Sequence, residues 1–284
     1  MPDKILTPLD GTPVAEAGLA WARLTAARCH AALHLLTVVE GPAKGVVSTA
    51  QRYLEQHRKG LAAEGLSVSL EVAIGSPAEL IVQSARQAQL TVMTYGTSRW
   101  LFGQALDAVM RAGSGPLVVV RARPNGGGAI AANGIGHDGG KILIPVDLTS
   151  RSQRVLPPAL ALAKDLGASV IFCHVIAPVG PHHDPALAPP GVARVIEELM
   201  EEARLALASA AAQARQAGLE AEIVVAVGQP FAEIVRLAER CQATLIAMAT
   251  RGNHSLSRVL GSVAFSVAQH GRVPCLLVPC PETN

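Results

Sequence analysis

Two aspartates are the first residues of this sequence that could do chemistry. Asp10 follows the apolar segment 4–9, and Asp147 follows the matching segment 141–146. A carboxylate at the end of a buried strand points toward the crevice where ligands bind in open α/β sheets, and it can accept hydrogen bonds from a ribose hydroxyl or an adenine amine. An aspartate here also fits the amino-terminal cap of a following helix, a position that favours Asp. The residue type leaves both interpretations open.

The second candidate is the polar stretch 248–263, which reads Met-Ala-Thr-Arg-Gly-Asn-His-Ser-Leu-Ser-Arg-Val-Leu-Gly-Ser-Val. It follows an aliphatic segment and closes with Gly261 and Ser262. A helix amino terminus offers unpaired N–H groups and a partial positive charge, and glycine lets the backbone approach a ligand, so this stretch could hold phosphates. Arg251 and Arg258 would add positive charge. An ordinary strand-to-helix connection with a serine near the cap is the alternative.

An internal repeat positions these residues. Segment 4–10 recurs at 141–147 and segment 33–39 recurs at 170–176, both with an offset of 137 residues. Segment 72–77 then matches 225–230 with an offset of 153 residues, so the second copy is longer between these points. Because several segments match in one order, we interpret the chain as an internal duplication.

A glycine-rich segment separates the two copies. Residues 124–140 contain seven glycines and no hydrophobic periodicity, which is typical of a flexible linker. We therefore predict one domain over residues 1–123 and a second over residues 141–284.

Each copy has the pattern of a βα series. Strands buried on both faces are continuous aliphatic runs, and half of the residues are apolar while only 3% are aromatic. Alternating strands and helices predict parallel strands joined by right-handed crossovers. The fold class is thus α/β, with two tandem doubly wound, Rossmann-like domains of five parallel strands each, packed as a pseudo-dimer. The predicted strands are 5–8, 33–39, 66–74, 90–94, 117–120, 142–145, 169–176, 219–227, 244–248 and 275–278.

Four short motifs carry a resemblance to a known family. They are Pro-Val-Asp at 145–147, Gly-Gln-Pro at 228–230, Met-Ala-Thr-Arg-Gly at 248–252 and Gly-Ser at 261–262. Together they resemble the universal stress protein (UspA-like) family, whose domains are similar to the adenine nucleotide alpha hydrolase fold. The resemblance covers both halves outside the linker.

The loop of the second copy differs slightly from the family pattern. Nucleotide-binding members carry Gly, two residues, Gly, nine residues, Gly, and then Ser or Thr. Here Ala249 replaces the first glycine, and eight residues separate Gly252 from Gly261.

The resemblance implies that the second domain binds ATP or another adenine nucleotide, with or without Mg²⁺, and no structural metal. It places Asp147 at the adenosine, Val175 at the adenine through its backbone, and the loop glycines at the phosphates. The candidate nucleotide-binding residues are Pro145, Asp147, Val175, Met248, Ala249, Arg251, Gly252, Gly261, Ser262 and Val263.

The first copy departs further from the motif. After Met93 its loop is shorter, and Gln104 stands where Ser or Thr is expected. Trp100 and Phe102 occupy space that phosphates would need. We expect the first domain not to bind nucleotide.

Composition and spacing argue against other function classes. The formal charge is +2 and Lys or Arg runs are absent, which argues against nucleic-acid binding. No window reaches the roughly 18 apolar residues that a membrane span needs. The N-terminal residues lack a signal pattern, and the five cysteines form no C-x-x-C pair, so we expect a cytoplasmic protein with reduced thiols. The segment His182-His183-Asp184 resembles a metal cluster only in composition, because it lies in a Pro-rich stretch.

The sequence shows no dedicated active site. We find no nucleophile elbow, Ser-His-Asp spacing or paired carboxylates, so we predict no enzymatic activity beyond a slow ATPase. A stress-response regulatory protein with an unknown protein partner is the leading hypothesis. The alternative is a structural or interaction module whose pockets are vestigial. The aliphatic last strands 117–120 and 275–278 predict that the two halves pair within the chain, and a homodimer of chains is also expected.

Overall fold

The computed structural model describes residues 3–41, 45–95, 102–122, 139–150, 152–178, 189–251 and 262–280. Within these ranges the chain forms two successive βα series with five strands and four α-helices each. The first consists of β1 (Lys4–Pro8), α1 (Pro13–Cys29), β2 (Ala32–Val39), α2 (Val46–Ala63), β3 (Val68–Ile74), α3 (Pro77–Ala85), β4 (Leu90–Tyr95), α4 (Phe102–Ala112) and β5 (Leu117–Arg121). The second consists of β6 (Lys141–Pro145), α5 (Leu156–Leu166), β7 (Ser169–Ile176), α6 (Pro190–Gln216), β8 (Ala221–Val227), α7 (Pro230–Arg240), β9 (Leu245–Arg251), α8 (Ser262–His270) and β10 (Cys275–Cys280).

All ten strands join one continuous sheet. Its order is β3-β2-β1-β4-β5-β10-β9-β6-β7-β8. Strands within each half are parallel, whereas β5 and β10 pair antiparallel, with Leu117 opposite Leu277 and Val119 opposite Cys275. The expected pair of doubly wound, five-stranded parallel domains packed as a pseudo-dimer is confirmed.

Local sequence signals set several helix ends. The Thr12 side chain accepts a hydrogen bond from the Ala15 N–H and caps α1, whose first residue is proline. Gly167 adopts a left-handed conformation and ends α5. None of the helices in the described ranges is both long enough and apolar enough to cross a membrane.

Two apolar layers cover the two faces of the sheet. One contains Trp21 of α1 and Phe172 of β7, both almost fully buried. The other contains residues of α3, α4, α7 and α8 packed on the alternate strand residues. Gly18 of α1 is required at one close approach, because a Cβ atom there would lie 2.6 Å from the Oγ1 atom of Thr94 in β4.

Polar contacts also join the two halves. The Arg121 guanidinium donates to the carbonyl oxygen of His270 at 2.8 Å, across the β5–β10 junction. Arg28 donates to the carbonyl oxygen of Leu166, at the end of α5, at 3.2 Å. Side chains of the first half thus bond carbonyl groups at helix ends of the second half.

The predicted end of β9 was wrong. The sequence placed it at 248, but the strand continues to Arg251, because Ala249, Thr250 and Arg251 pair with residues 278–280 of β10. Thr250 is buried, and its hydroxyl donates to the Val278 carbonyl oxygen at 3.4 Å. β9 therefore includes residues 249–251 of the stretch 248–263.

Candidate functional site

The strand order of the second half reverses between β6 and β9, the place where open α/β sheets form a crevice. β6 pairs with β7 through all five of its residues, but with β9 only at Ile142–Leu245 and Leu143–Ile246. The carboxyl ends of β6 and β9 are therefore not joined, and such a switch point is where ligands bind in open α/β sheets. Pro145 ends β6 on one side of this opening, and Met248 is buried in β9 on the other.

Asp147 lies just beyond β6, exposed at the mouth of this crevice. Its Oδ1 atom accepts hydrogen bonds from the Thr149 backbone N–H at 3.0 Å and from the Thr149 hydroxyl at 2.6 Å. The Thr149 hydroxyl oxygen in turn accepts from the Ser152 N–H at 3.3 Å. Through Thr149, Asp147 thus supports the start of the short 3₁₀ helix Ser152–Val155, which precedes α5. Its carboxylate stays at the crevice.

The first half repeats this arrangement. Oδ1 of Asp10 accepts from the Thr12 N–H at 2.9 Å and from the Thr12 hydroxyl at 2.6 Å. Thr12, not Asp10, is the cap of α1. The interpretation of Asp10 as the cap is therefore wrong: Asp10 binds the capping Thr12 and acts on the start of α1 through it.

The hydrogen bonds also set the charge state of Asp147. Desolvation acts to raise the pKa of its carboxyl group, but hydrogen bonds from Thr149 and Ser152 outweigh that effect and lower the pKa below its usual value. Asp147 is therefore fully ionised at neutral pH. An ionised carboxylate that is held in place can accept hydrogen bonds from ligand hydroxyl or amino groups.

The turn after each aspartate uses a left-handed residue. In the first half this residue is Gly11, at φ +79°. In the second half it is Leu148, at φ +62°, a conformation that is uncommon for residues with a side chain. Leu148 is half-buried and packs against the core, which helps to hold it there. Backbone strain therefore lies next to Asp147.

His174 supports the same turn from the neighbouring strand. Its Nδ1 atom donates to the Val146 carbonyl oxygen at 2.7 Å. Val175, the next residue of β7, is half-buried. His174, Thr149 and Ser152 were not among the predicted site residues. The Asp-x-Thr sequence that recurs in both copies could have pointed to Thr149. No sequence pattern pointed to His174.

The remaining predicted residues fall into three groups. Ala249 is half-buried in β9 and Val263 is half-buried in α8. Arg251 ends β9 and Ser262 begins α8, but their side chains are outside the description. Gly252 and Gly261, with the loop between them, lie outside the described residues. Pro145, Asp147, Val175, Met248 and Ala249 thus lie on or just after the neighbouring strands β6, β7 and β9.

The corresponding corner of the first half contains a polar cluster. The Tyr53 hydroxyl donates to Oε1 of Glu16 at 3.1 Å, His57 lies 3.4 Å from the same oxygen, and the Tyr53 and His57 rings meet edge to face. Burial, followed by the nearby Glu16 and Asp10 carboxylates, raises the pKa of Tyr53.

The repeat offsets equate these three residues with one glutamine and two alanines in the second half. Glu16 corresponds to Gln153, Tyr53 to Ala206 and His57 to Ala210. Trp100 lies outside the described residues, as does the side chain of Phe102. Tyr53 is therefore the bulky side chain that the structure places beside the first-half turn.

The cysteines serve the core. Four of the five are buried and all are free thiols. Burial raises the pKa of the Cys29, Cys173 and Cys275 thiols to about 12, so they are protonated at neutral pH. These three thiols therefore act as small apolar residues of the core.

Metal-ligating side chains do not cluster in the part of the chain that the structure describes. No group of three or more His, Cys, Asp or Glu residues there could hold a metal ion. His182, His183 and Asp184 are outside the described ranges.

Comparisons with known proteins agree with this architecture. The sequence profile of the universal stress protein family matches residues 1–121 and again residues 140–279. Universal stress protein MJ0531 of Methanocaldococcus jannaschii is 35% identical over 144 residues, which cover 50% of this chain and 83% of that protein. Universal stress protein YxiE of Bacillus subtilis is 28% identical over 152 residues, covering 49% and 97%.

A solved structure has the same fold over nearly the whole chain. The crystal structure of a universal stress protein from Archaeoglobus fulgidus covers 98% of each chain with a TM-score of 0.69 and 18% identity. Because the family profile matches both halves, this chain belongs to the universal stress protein family, as a member with two tandem domains.

Proposed function

We propose that this protein is a cytoplasmic stress-response regulator that binds ATP or another adenine nucleotide, with or without Mg²⁺, in its second half. The observation that carries the proposal is the ionised Asp147 carboxylate, held by Thr149 at the open crevice between β6 and β9. Nucleotide occupancy would alter contacts with a protein partner. Catalysis beyond slow ATP hydrolysis is not part of the proposal.

The domain division supports this assignment. We propose domains over residues 1–123 and 141–284, joined by the linker 124–140, and the family profile leaves residues 122–139 of that region unmatched. Within the first domain, Tyr53 and its hydrogen bond to Glu16 crowd the corner beside Asp10. The second domain has Ala206 in place of Tyr53. This difference favours nucleotide binding by the second domain alone.

Isothermal titration calorimetry with ATP, ADP and AMP tests the proposal. We expect saturable binding of one nucleotide per chain. Asp147→Asn should weaken binding by about tenfold or more, equivalent to about 1.4 kcal/mol, because the charged acceptor is lost. The matched variant Asp10→Asn should leave affinity unchanged. Absence of binding at millimolar nucleotide by a correctly folded chain would contradict the proposal.

The alternative is an interaction module with vestigial pockets. Ala249 and the loop that is one residue shorter than the family pattern favour it. A variant that restores glycine at Ala249 and gains one residue after Asn253 separates the two functions. Binding that appears only in this variant indicates a vestigial pocket, whereas equal binding by both chains indicates a working one.

We also propose a symmetric homodimer of chains. β5 and β10 already pair with each other inside one chain, so a dimer must use other surfaces. Size-exclusion chromatography with light scattering measures the mass directly. A monomer at high concentration would contradict this expectation.

A further inference from the structure

The first edge of the sheet exposes unpaired backbone groups. The Leu33 N–H donates to the Ser67 carbonyl oxygen at 2.8 Å, and the Gly75 N–H donates to the Val39 carbonyl oxygen at 2.9 Å. Ser67 and Gly75 flank β3, and the direction of the backbone groups alternates along a strand. The N–H and C=O groups of the odd-numbered residues of β3 therefore point toward β2. The outward N–H and C=O groups thus belong to Val68, Leu70, Val72 and Ile74. No described strand pairs with β3 on that side.

On the opposite edge of the sheet, one outward carbonyl is covered by a side chain. Arg215 donates from Nη2 to the carbonyl oxygen of Ala221 in β8 at 2.7 Å, and by the same alternation this carbonyl points outward. The offset of 153 residues equates Arg215 with Ala62 and Ala221 with Val68. The first edge therefore lacks the guanidinium that covers the first outward carbonyl of the second edge. An exposed edge without such protection is a template for another strand.

A groove lies beside the open edge, between α2 and β3. It has a volume of about 470 Å³, within the usual range of binding sites. Leu54, Leu70 and Val72 form its apolar floor, and Gln51, Arg52 and Glu55 line its polar side. Leu70 and Val72 thus contribute side chains to the groove and backbone groups to the edge. A strand added here would place every second side chain over the groove.

The groove contains one arginine and one glutamate, and the two differ in their partners. Glu55 accepts hydrogen bonds from Arg58, one of them from Nε at 2.7 Å, so its charge is compensated. Arg52 is exposed, and no carboxylate among the described side chains lies within ion-pair distance of it. An acidic side chain on a bound segment would complement this guanidinium.

We propose that the β3 edge and the α2 groove bind an extended segment of a partner protein by strand addition. The segment carries apolar side chains at alternate positions and one acidic side chain opposite Arg52. Backbone hydrogen bonds to β3 supply affinity, and the groove supplies selectivity. This proposal does not rest on nucleotide binding.

A library of twelve-residue peptides displayed on phage serves as the probe. The most enriched sequence is synthesised with a fluorescent label, and its binding to the full chain is measured by polarisation. We expect the enriched peptide to have apolar residues at alternate positions and one Asp or Glu. Reversal of that acid to Lys should weaken binding about tenfold, and Arg52→Glu should restore it.

Amide hydrogen exchange locates the peptide. On binding, the N–H groups of Val68, Leu70, Val72 and Ile74 should become protected, whereas those of the odd-numbered residues between them, which already bond β2, should change little. This alternation distinguishes strand addition from binding elsewhere on α2.

Ala62→Arg is the critical variant, because it transfers the protection of the second edge to the first. Ala62 is exposed near the end of α2, where arginine is favourable, so the fold should persist. Peptide affinity should fall at least about tenfold.

Three results would overturn the proposal. The first is a selection without enriched peptides, and the second is binding that Ala62→Arg does not weaken. The third is protection of the four outward amides in the free chain at high concentration but not after dilution, which would show that a second copy covers this edge.

Discussion

Thr149 donates two hydrogen bonds to one oxygen of Asp147, from its backbone at 3.0 Å and from its hydroxyl at 2.6 Å. This pair ties the crevice to the start of the following helical segment. A change at Thr149 should therefore alter both the ionisation of Asp147 and the stability of the fold.

Thr149→Val should raise the pKa of Asp147 toward its usual value, because the hydroxyl donor is lost while the backbone donor remains. NMR titration of the Asp147 carboxyl carbon measures this shift. A folded pKa below the unfolded one stabilises the protein above the unfolded pKa, and that contribution disappears as pH falls through the folded pKa. The variant should be less stable than wild type at pH 7, and the difference should shrink in acid. Thr149→Ser keeps the hydroxyl and should leave the pKa low.

Gly11→Ala should destabilise the fold by about 1 kcal/mol, because Gly11 has φ +79° and side chains disfavour that conformation. No atom lies within 4 Å of the added Cβ, so backbone conformation alone determines the effect. Gly60→Ala is the control. Gly60 lies within α2 with equally open surroundings, and alanine there should stabilise by about 0.5–1 kcal/mol. Urea unfolding measures the change in the free energy of unfolding for both variants. Equal changes would contradict the left-handed conformation of Gly11.

Gly18→Ala should destabilise by about 1–3 kcal/mol, since its Cβ would lie 2.6 Å from Oγ1 of the buried Thr94. Removal of that oxygen should relieve the contact. In a double-mutant cycle measured by denaturant unfolding, Gly18→Ala with Thr94→Ala should therefore cost less than the sum of the two single changes. Additive costs would show that α1 and β4 can move apart.

Leu276→Ala tests whether the two halves unfold together. Leu276 is 1% exposed and pairs with Val118 across the junction, so truncation should cost about 2–5 kcal/mol. Both tryptophans, Trp21 and Trp100, lie in the first half. Their fluorescence should report the destabilisation although the change is in the second half. Arg121→Ala, which removes one exposed hydrogen bond, should cost less than about 1 kcal/mol. If the unfolding transition followed by tryptophan fluorescence is the same for Leu276→Ala as for wild type, the two halves unfold independently.

The sequence was sufficient for elements whose signal is local. β7 was predicted as 169–176 and found there, because a strand buried on both faces is a continuous aliphatic run. The end of β9 was missed because pairing with β10, a segment distant in sequence, extends the strand to Arg251. The left-handed Leu148 was missed because only packing against the core holds it there. The contact of Tyr53 with Glu16 joins two helices, and no local pattern predicts it. The roles of Gly252 and Gly261 stay predictions.

The antiparallel junction of β5 and β10 reverses the direction of the second half relative to the first. The carboxyl ends of β1 and β4 therefore lie on one rim of the sheet, and those of β6 and β9 lie on the opposite rim. A ligand held at one crevice cannot reach the other without crossing the full length of the strands. Duplication has thus produced two rims that face away from each other, and each could change its chemistry without disturbing the other.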